Sequence, residues 1–233
     1  MEYQFGDFLF TAEVRRASDL TPVLAFPEKL SEDFDAYYMF RDIYESEKEK
    51  QIIRNSKLRY DFTIIPPAEI GGEAIKTLGH YHPTNAFGIA YPEIYQIIDG
   101  KAIFLIQRRQ GERVVDCFAI EAEKGDLVLI PPGFGHITIN PTREVLLTSN
   151  WVCRNFESIY EPYKKLRGAC YYYINGEWVK NENYSEKVEL RFLEPFSSMN
   201  EEMYYLVNEI EKLEFLTKPE KHMEIFKKYL KIF

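Results

Sequence analysis

Three of the four histidines in this 233-residue chain fall in two short stretches, Gly79-His80-Tyr81-His82 and Pro131-Pro132-Gly133-Phe134-Gly135-His136. Glu93 lies between them. Neutral imidazole is the commonest side-chain donor to a metal near neutral pH. His80 and His82 are two apart, a spacing that puts both rings on one face of a strand. His136 follows a Pro/Gly-rich turn that can aim it inward, and Glu93 opens the stretch Glu93-Ile94-Tyr95-Gln96-Ile97. Three nitrogens and one carboxylate suit one divalent ion of the Fe(II), Mn(II), Ni(II) or Zn(II) kind. A His-x-His alone more often marks surface or hydrogen-bonded histidines. The second stretch is what favours ligands.

Rigid strands are needed to bring these residues together. From Arg59 to Val152 the chain reads as short strands divided by Gly and Pro, at 60–65, 73–79, 93–98, 102–108, 113–119, 126–130, 135–139 and 144–151. This pattern predicts an all-β core of the sandwich or jelly-roll barrel type. A further hairpin, 170–174 with 177–180, turns on Asn175-Gly176. Residues 1–58 read as an arm with one strand and a turn over 1–25. A short helix followed by a strand or loop is expected around Ser31–Glu49. Residues 59–185 form the barrel. In 186–233, Met203, Leu206, Val207, Ile210, Leu213 and Leu216 recur at helical spacing. After Pro219, Met223, Phe226, Tyr229 and Leu230 resume it. Two amphipathic helices in a C-terminal α-helical extension are expected, packed on the barrel or on a partner subunit.

Composition narrows the function classes. The net charge of −8 argues against a general nucleic-acid binder, which needs a basic footprint. Seventeen Tyr and seventeen Phe fit a β-rich interior. Cys117, Cys153 and Cys170 lack metal-site spacing, and their odd number fits thiols in a reducing compartment. The acidic N-terminus lacks a signal-peptide apolar region, and no apolar run approaches the ~18 residues of a membrane span. The expectation is a cytoplasmic protein bound to neither membrane nor nucleic acid.

The run from Gly125 to Asn140 fits G-x5-P-x-G-x2-H-x3-N at every fixed position and resembles the second cupin motif. His80-x-His82 with Glu93-x6-Gly100 resembles the first. Two features depart from it. Ten residues separate His82 from Glu93, far more than in most cupins, and the leading glycine, Gly72, sits too far upstream. The resemblance implies a cupin double-stranded β-helix.

Thr77-x-Gly79-His80-x-His82, Glu93-x-Tyr95-x4-Gly100-x6-Gln107 and Pro131-Pro132-x3-His136-x3-Asn140 together resemble the archaeal cupin-type glucose-6-phosphate isomerases. Arg15-Arg16-Ala17-Ser18-Asp19-Leu20 and the Gly168–Gly176 region are similar to outlying segments of that family. The resemblance implies interconversion of glucose 6-phosphate and fructose 6-phosphate. It implies metal ligands His80, His82, Glu93 and His136, with one ion per subunit. It places Thr63, Thr77 and Gly79 at the substrate phosphate and Tyr44 and Tyr95 along the sugar. Glu93 is then the candidate base, the only carboxylate the motifs bring to the site, and Tyr95 its catalytic companion. Strand parity opposes Thr77, which would face away from His80 unless Gly79 carries a bulge. Gln107 and Asn140 read as structural, and Tyr81 as packing outward. Where the family carries a histidine two residues before an aromatic, this chain reads Arg154-Asn155-Phe156. An arginine there stays protonated and weakens a proton-transfer role. Other metal-cupin enzymes, including oxygenases, and non-catalytic sugar-phosphate binders share the metal motif. A homodimer is expected, because an isolated cupin barrel leaves edges to cover.

Overall fold

The structure, a computed structural model, describes residues 1–185 and 188–229. A hairpin of β1 (Glu2–Phe5) and β2 (Phe8–Thr11) leads to β3 (Glu13–Arg16), a 3-10 turn over Ala17–Val23, and β4 (Asp35–Phe40). Helix α1 (Glu47–Asn55) precedes β5 (Leu58–Ile65), β6 (Glu69–Ile70) and β7 (Glu73–Ala74). The core strands are β8 (Glu93–Asp99), β9 (Lys101–Gln110), β10 (Arg113–Glu123), β11 (Asp126–Ile130), β12 (Phe134–Ile139) and β13 (Leu146–Cys153). Then come α2 (Glu161–Lys165), the hairpin β14 (Tyr171–Ile174) with β15 (Glu177–Lys180), and the short strands β16 (Leu190–Phe192) and β17 (Ser197–Ser198).

Two sheets make the core. One runs β17-β11-β8-β13-β5-β4-β3 and the other β12-β9-β10-β16. Their inner faces meet where Tyr95 of β8 lies 5.0 Å, ring to ring, from Phe104 of β9. Strand β9 is buried without interruption from Ala102 to Gln107. Such a strand is covered on both faces, which is why its sequence is an apolar run and not an alternation. This is the all-β core of two facing sheets that the strand spacing predicted. No helix among the described residues is long and apolar enough to cross a membrane.

Four local expectations change. The order around Ser31–Glu49 is strand first, then helix. The apolar residues of β4 serve its pairing with β3 and β5. The helix waits for Ser46, whose Oγ accepts the Glu49 N–H as an N-cap. The arm holds three strands where one was expected. The predicted strand 73–79 ladders only at Glu73–Ala74 and continues as isolated bridges Lys76↔Ile139 and His80↔His136.

The described C-terminal tail forms 3-10 turns over Met203–Leu216, Pro219–Lys221 and Met223–Phe226 in place of the two α-helices expected, and Tyr229 lies in a turn beyond them. Glu209 breaks the helix with φ −134° and ψ 45°. The break lets Met203, Tyr204 and Val207 on one side, and Leu213, Phe215 and Leu216 on the other, all reach the core. Its start is pinned to the sheet: Met203 N–H donates to Gln96 Oε1 at 2.7 Å, and Trp151 Nε1–H donates to the Met203 carbonyl at 3.0 Å. Leu230 lies outside the described residues.

Candidate metal centre and adjoining cavity

The four motif residues converge. His80, His82, Glu93 and His136 each offer a ligand atom, and all four atoms lie within 4.8 Å of one another. Glu93 comes from β8 and His136 from β12, one strand from each sheet. The bridge His80↔His136 brings the third ligand alongside, with backbone hydrogen bonds in both directions. His80 Nε2 and His82 Nε2 are 3.0 Å apart. Glu93 Oε2 is 3.3 Å from His82 Nε2 and 3.4 Å from His136 Nε2.

The donor set fits a cation. His82 Nδ1 lies 2.8 Å from the Tyr91 carbonyl. A carbonyl only accepts, so the proton sits on Nδ1 and Nε2 keeps its lone pair. Glu93 Oε1 accepts from Asn150 Nδ2 at 2.7 Å, while Oε2 is buried with no hydrogen-bond partner. Buried polar groups are rarely left unpaired, and an orphaned carboxylate oxygen facing three imidazoles is what a metal ion satisfies. Burial, with the charges of His136 and His82, holds His80 well below its ordinary pKa. His136 is lowered to about 4, mainly by burial. Burial would raise the Glu93 carboxyl, but the adjacent His82 and His136 rings outweigh it and hold it below the ordinary value. These directions keep the His80 and His136 imidazoles neutral and the Glu93 carboxylate charged, the forms that bind metal.

A cavity adjoins the cluster, and strand alternation explains its walls. Arg59, Asp61 and Thr63 of β5, Glu93 and Tyr95 of β8, and Asn150 and Val152 of β13 all line it. Residues two apart share a face. The register aligns Glu93 with Val152 and Arg59, and Tyr95 with Asn150 and Asp61.

Thr63, Thr77, Gly79 and Tyr95 line this cavity beside the metal cluster. The parity objection to Thr77 is resolved at Gly79. Its φ of +79° departs from strand geometry, so Thr77 and His80 reach the same cavity. A Cβ there would lie 2.4 Å from Ile137 Cγ2. Thr77 Oγ1 accepts the Thr138 N–H at 3.0 Å, leaving its own proton to donate. Tyr95 Oη lies 3.0 Å from His136 Nε2, and burial followed by the Glu93 charge pushes its pKa well above the ordinary value.

Tyr44 is elsewhere. It packs against Phe8 and Phe10, with ring centroids at 4.8 and 5.3 Å, outside the cavity lining. Its alternating apolar neighbours draw it into the arm's core. Arg154 also misses the cavity. Its guanidinium donates to Asp42 and to the Leu58 carbonyl. The stretch that reaches the cavity after β13 is Ser158-Ile159-Tyr160, through the bridge Tyr81↔Ile159. Tyr81 itself packs away from the histidine cluster, and Gln107 Nε2 donates to its hydroxyl at 2.9 Å. Asn140 ties a loop through the Ile65 and Glu144 carbonyls.

Sequence motifs missed several lining residues. Asp61 is a second buried carboxylate, held by Arg59 at 2.8 Å and Arg41 at 3.7 Å. Burial raises its pKa against the pull of both arginines. The alternation of Arg59, Asp61 and Thr63 was a readable signal, because polar residues on one face of a strand with buried neighbours require a polar destination.

The sequence profile of the family "Glucose-6-phosphate isomerase (GPI)" matches residues 14–189. A glucose-6-phosphate isomerase of Thermococcus litoralis is 32% identical over 130 residues, 54% of this chain and 62% of that protein. The one from Thermococcus kodakarensis is 33% identical over 137 residues, 56% of this chain and 64% of that protein. These matches span under two thirds of the relatives' length. Among solved structures, Bacillus subtilis oxalate decarboxylase is 16% identical with a TM-score of 0.40, covering 54% of this chain and 28% of that one.

Proposed function

Because the chain belongs to the glucose-6-phosphate isomerase family, we propose that it is a metal-dependent aldose–ketose isomerase interconverting glucose 6-phosphate and fructose 6-phosphate. The observation that carries this reading is the convergence of His80, His82, Glu93 and His136 on one point beside a cavity with hydroxyl and guanidinium walls. In this proposal the four residues hold one divalent ion per subunit, of the Fe(II), Mn(II), Ni(II) or Zn(II) class. When bound, such an ion supplies Lewis-acid polarisation of the sugar's carbonyl and hydroxyl oxygens.

The chain's own groups supply the rest. Isomerisation moves a hydrogen between C1 and C2. Glu93 is the candidate base: its Oε2 receives no hydrogen bond, and Asn150 fixes its Oε1. Ligation lowers the basicity of a carboxylate, so Glu93 acts best when only weakly coordinated. Tyr95 retains its proton and holds a hydroxyl beside His136, where it can orient a sugar oxygen. Thr63 and Thr77 offer hydroxyls to the substrate phosphate, and Gly79 permits close backbone approach. Arg41 and Arg59 on the same wall add positive charge.

The enzyme is a cytoplasmic homodimer. Strand β3 ends the seven-stranded sheet, and Leu9 and Val14 of the arm are exposed, the kind of apolar edge a second copy covers.

The test is fructose 6-phosphate turnover, read by a coupled dehydrogenase on chelated protein and again after adding each metal. Turnover restored by metal is expected, and Glu93→Gln, assayed at saturating metal, should lose it; near-normal turnover at full metal occupancy would rule out Glu93 as the base. No turnover with any ion, on protein shown to bind metal, would sink the isomerase reading.

A further inference from the structure

Two cysteines stand away from the metal centre. Cys117 lies on β10 and Cys170 immediately before β14. Both side chains are buried, and their sulfurs are 2.8 Å apart. The remaining cysteine, Cys153, belongs to β13 in the other sheet.

Both members of the pair are held in place from outside it. Cys117 pairs in the ladder with Gln107 of β9. The Cys170 N–H donates to the Gln107 side-chain oxygen at 2.9 Å. One glutamine therefore contacts both backbones, and the buried thiols meet beside it. Thiols that only fill a core need not touch. These two come from segments 53 residues apart and do. Bond formation requires the sulfurs to close by only about 1 Å.

We propose that Cys117 and Cys170 are a disulfide-forming pair, a covalent modification site whose reagent is a low-molecular-weight disulfide. This goes beyond the isomerase reading and does not depend on it. One cysteine, as thiolate, attacks the small disulfide, forms a mixed disulfide and expels the first small thiol. The second cysteine attacks that mixed bond and expels the second small thiol. The two cysteine protons end on the two released thiols. The protein loses two electrons and the reagent gains them. The product joins the β10 sheet to the β14–β15 hairpin. It also fixes the far side of Gln107, whose amide holds Tyr81 between the two histidines of the first motif.

Because the pair is buried, the reagent must meet it while the chain folds. The full-length chain is therefore refolded from denaturant in a glutathione redox buffer, and in parallel under dithiothreitol. Each sample is denatured, alkylated and weighed intact. Three adducts are expected after reductant and one after the redox buffer. A tryptic cross-link should join peptides 114–124 and 168–180. Cys153→Ala should show two adducts falling to none. Three adducts after oxidative refolding, glutathione retained on a cysteine, or a cross-link through Cys153 would each overturn the proposal. Cys170→Ala should lose the cross-link. If that variant does not fold, Cys153→Ala still decides.

Discussion

Asn150 donates its side-chain N–H to Glu93 Oε1 at 2.7 Å, and the other carboxylate oxygen is left facing His82 and His136. Asn150 sits on β13 and Glu93 on β8, neighbours in one sheet. The hydrogen bond decides which oxygen of Glu93 belongs to the ligand cluster. Groups behind a ligand commonly set metal affinity by 10–100-fold. Asn150→Ala is expected to weaken metal binding by about that factor with the fold intact. Competition against a chelator measures it, and unchanged affinity would remove Asn150 from the site.

Gly79 is a steric requirement. Gly79→Ala places a methyl group against Ile137 Cγ2 and the Tyr163 ring, at a φ of +79°. Combined overpacking and left-handed strain are expected to cost about 2–5 kcal/mol. Gly88→Ala has a similar φ of +76° but open space, and should cost only about 1 kcal/mol. Urea unfolding of both variants separates crowding from backbone strain. Equal losses would contradict the crowding argument.

Acid should destabilise the chelated protein before carboxylates titrate broadly. His136 falls from an ordinary 6.5 to about 4 in the fold, and His80 is lowered as well. Between those values the unfolded chain binds protons that the folded chain refuses, so stability falls as pH falls through that window. Urea midpoints near about pH 7 and about pH 5 test this. Saturating metal should reduce the acid sensitivity by holding the imidazoles neutral until the ion dissociates. A midpoint unaffected by pH in the chelated protein would refute it.

Arg154 serves the arm and not the site. Its pairing with Asp42 is partly exposed, so Arg154→Ala should cost about 1 kcal/mol or less. Metal affinity and the Michaelis constant should be unchanged. A large rise in the Michaelis constant would restore it to the substrate site.

The tail contributes stability through one ring in particular. Tyr204 is buried against Phe5, Tyr60 and Trp151, at centroid distances of 4.8, 5.0 and 6.2 Å. Tyr204→Ala should cost about 3–5 kcal/mol, while metal affinity on the folded fraction stays near that of the parent chain. A loss below about 1 kcal/mol would mean the tail packs only loosely.

The sequence by itself determined the β-rich class, the strands from Arg59 to Val152 apart from 73–79, the Asn175-Gly176 hairpin and the four residues that converge at the candidate metal centre. These are local signals. Alternation, turn residues and motif spacing act over a few positions and are written in consecutive letters. Tertiary structure alone decided what depends on register between distant strands. It brought Asn150 and Asp61 beside Glu93, because a strand's partner, not its own residues, sets what each face meets. It left Tyr44 in the arm and gave Arg154 to Asp42. It turned an expected continuous strand into a kink at Gly79, where the crowding of Ile137 and Tyr163 is invisible along the chain. It broke the tail at Glu209, whose non-helical backbone lets residues on both sides of it reach the core, a demand set by the surface they pack on and not by helical periodicity. It also set two sulfurs side by side from segments with no spacing in common.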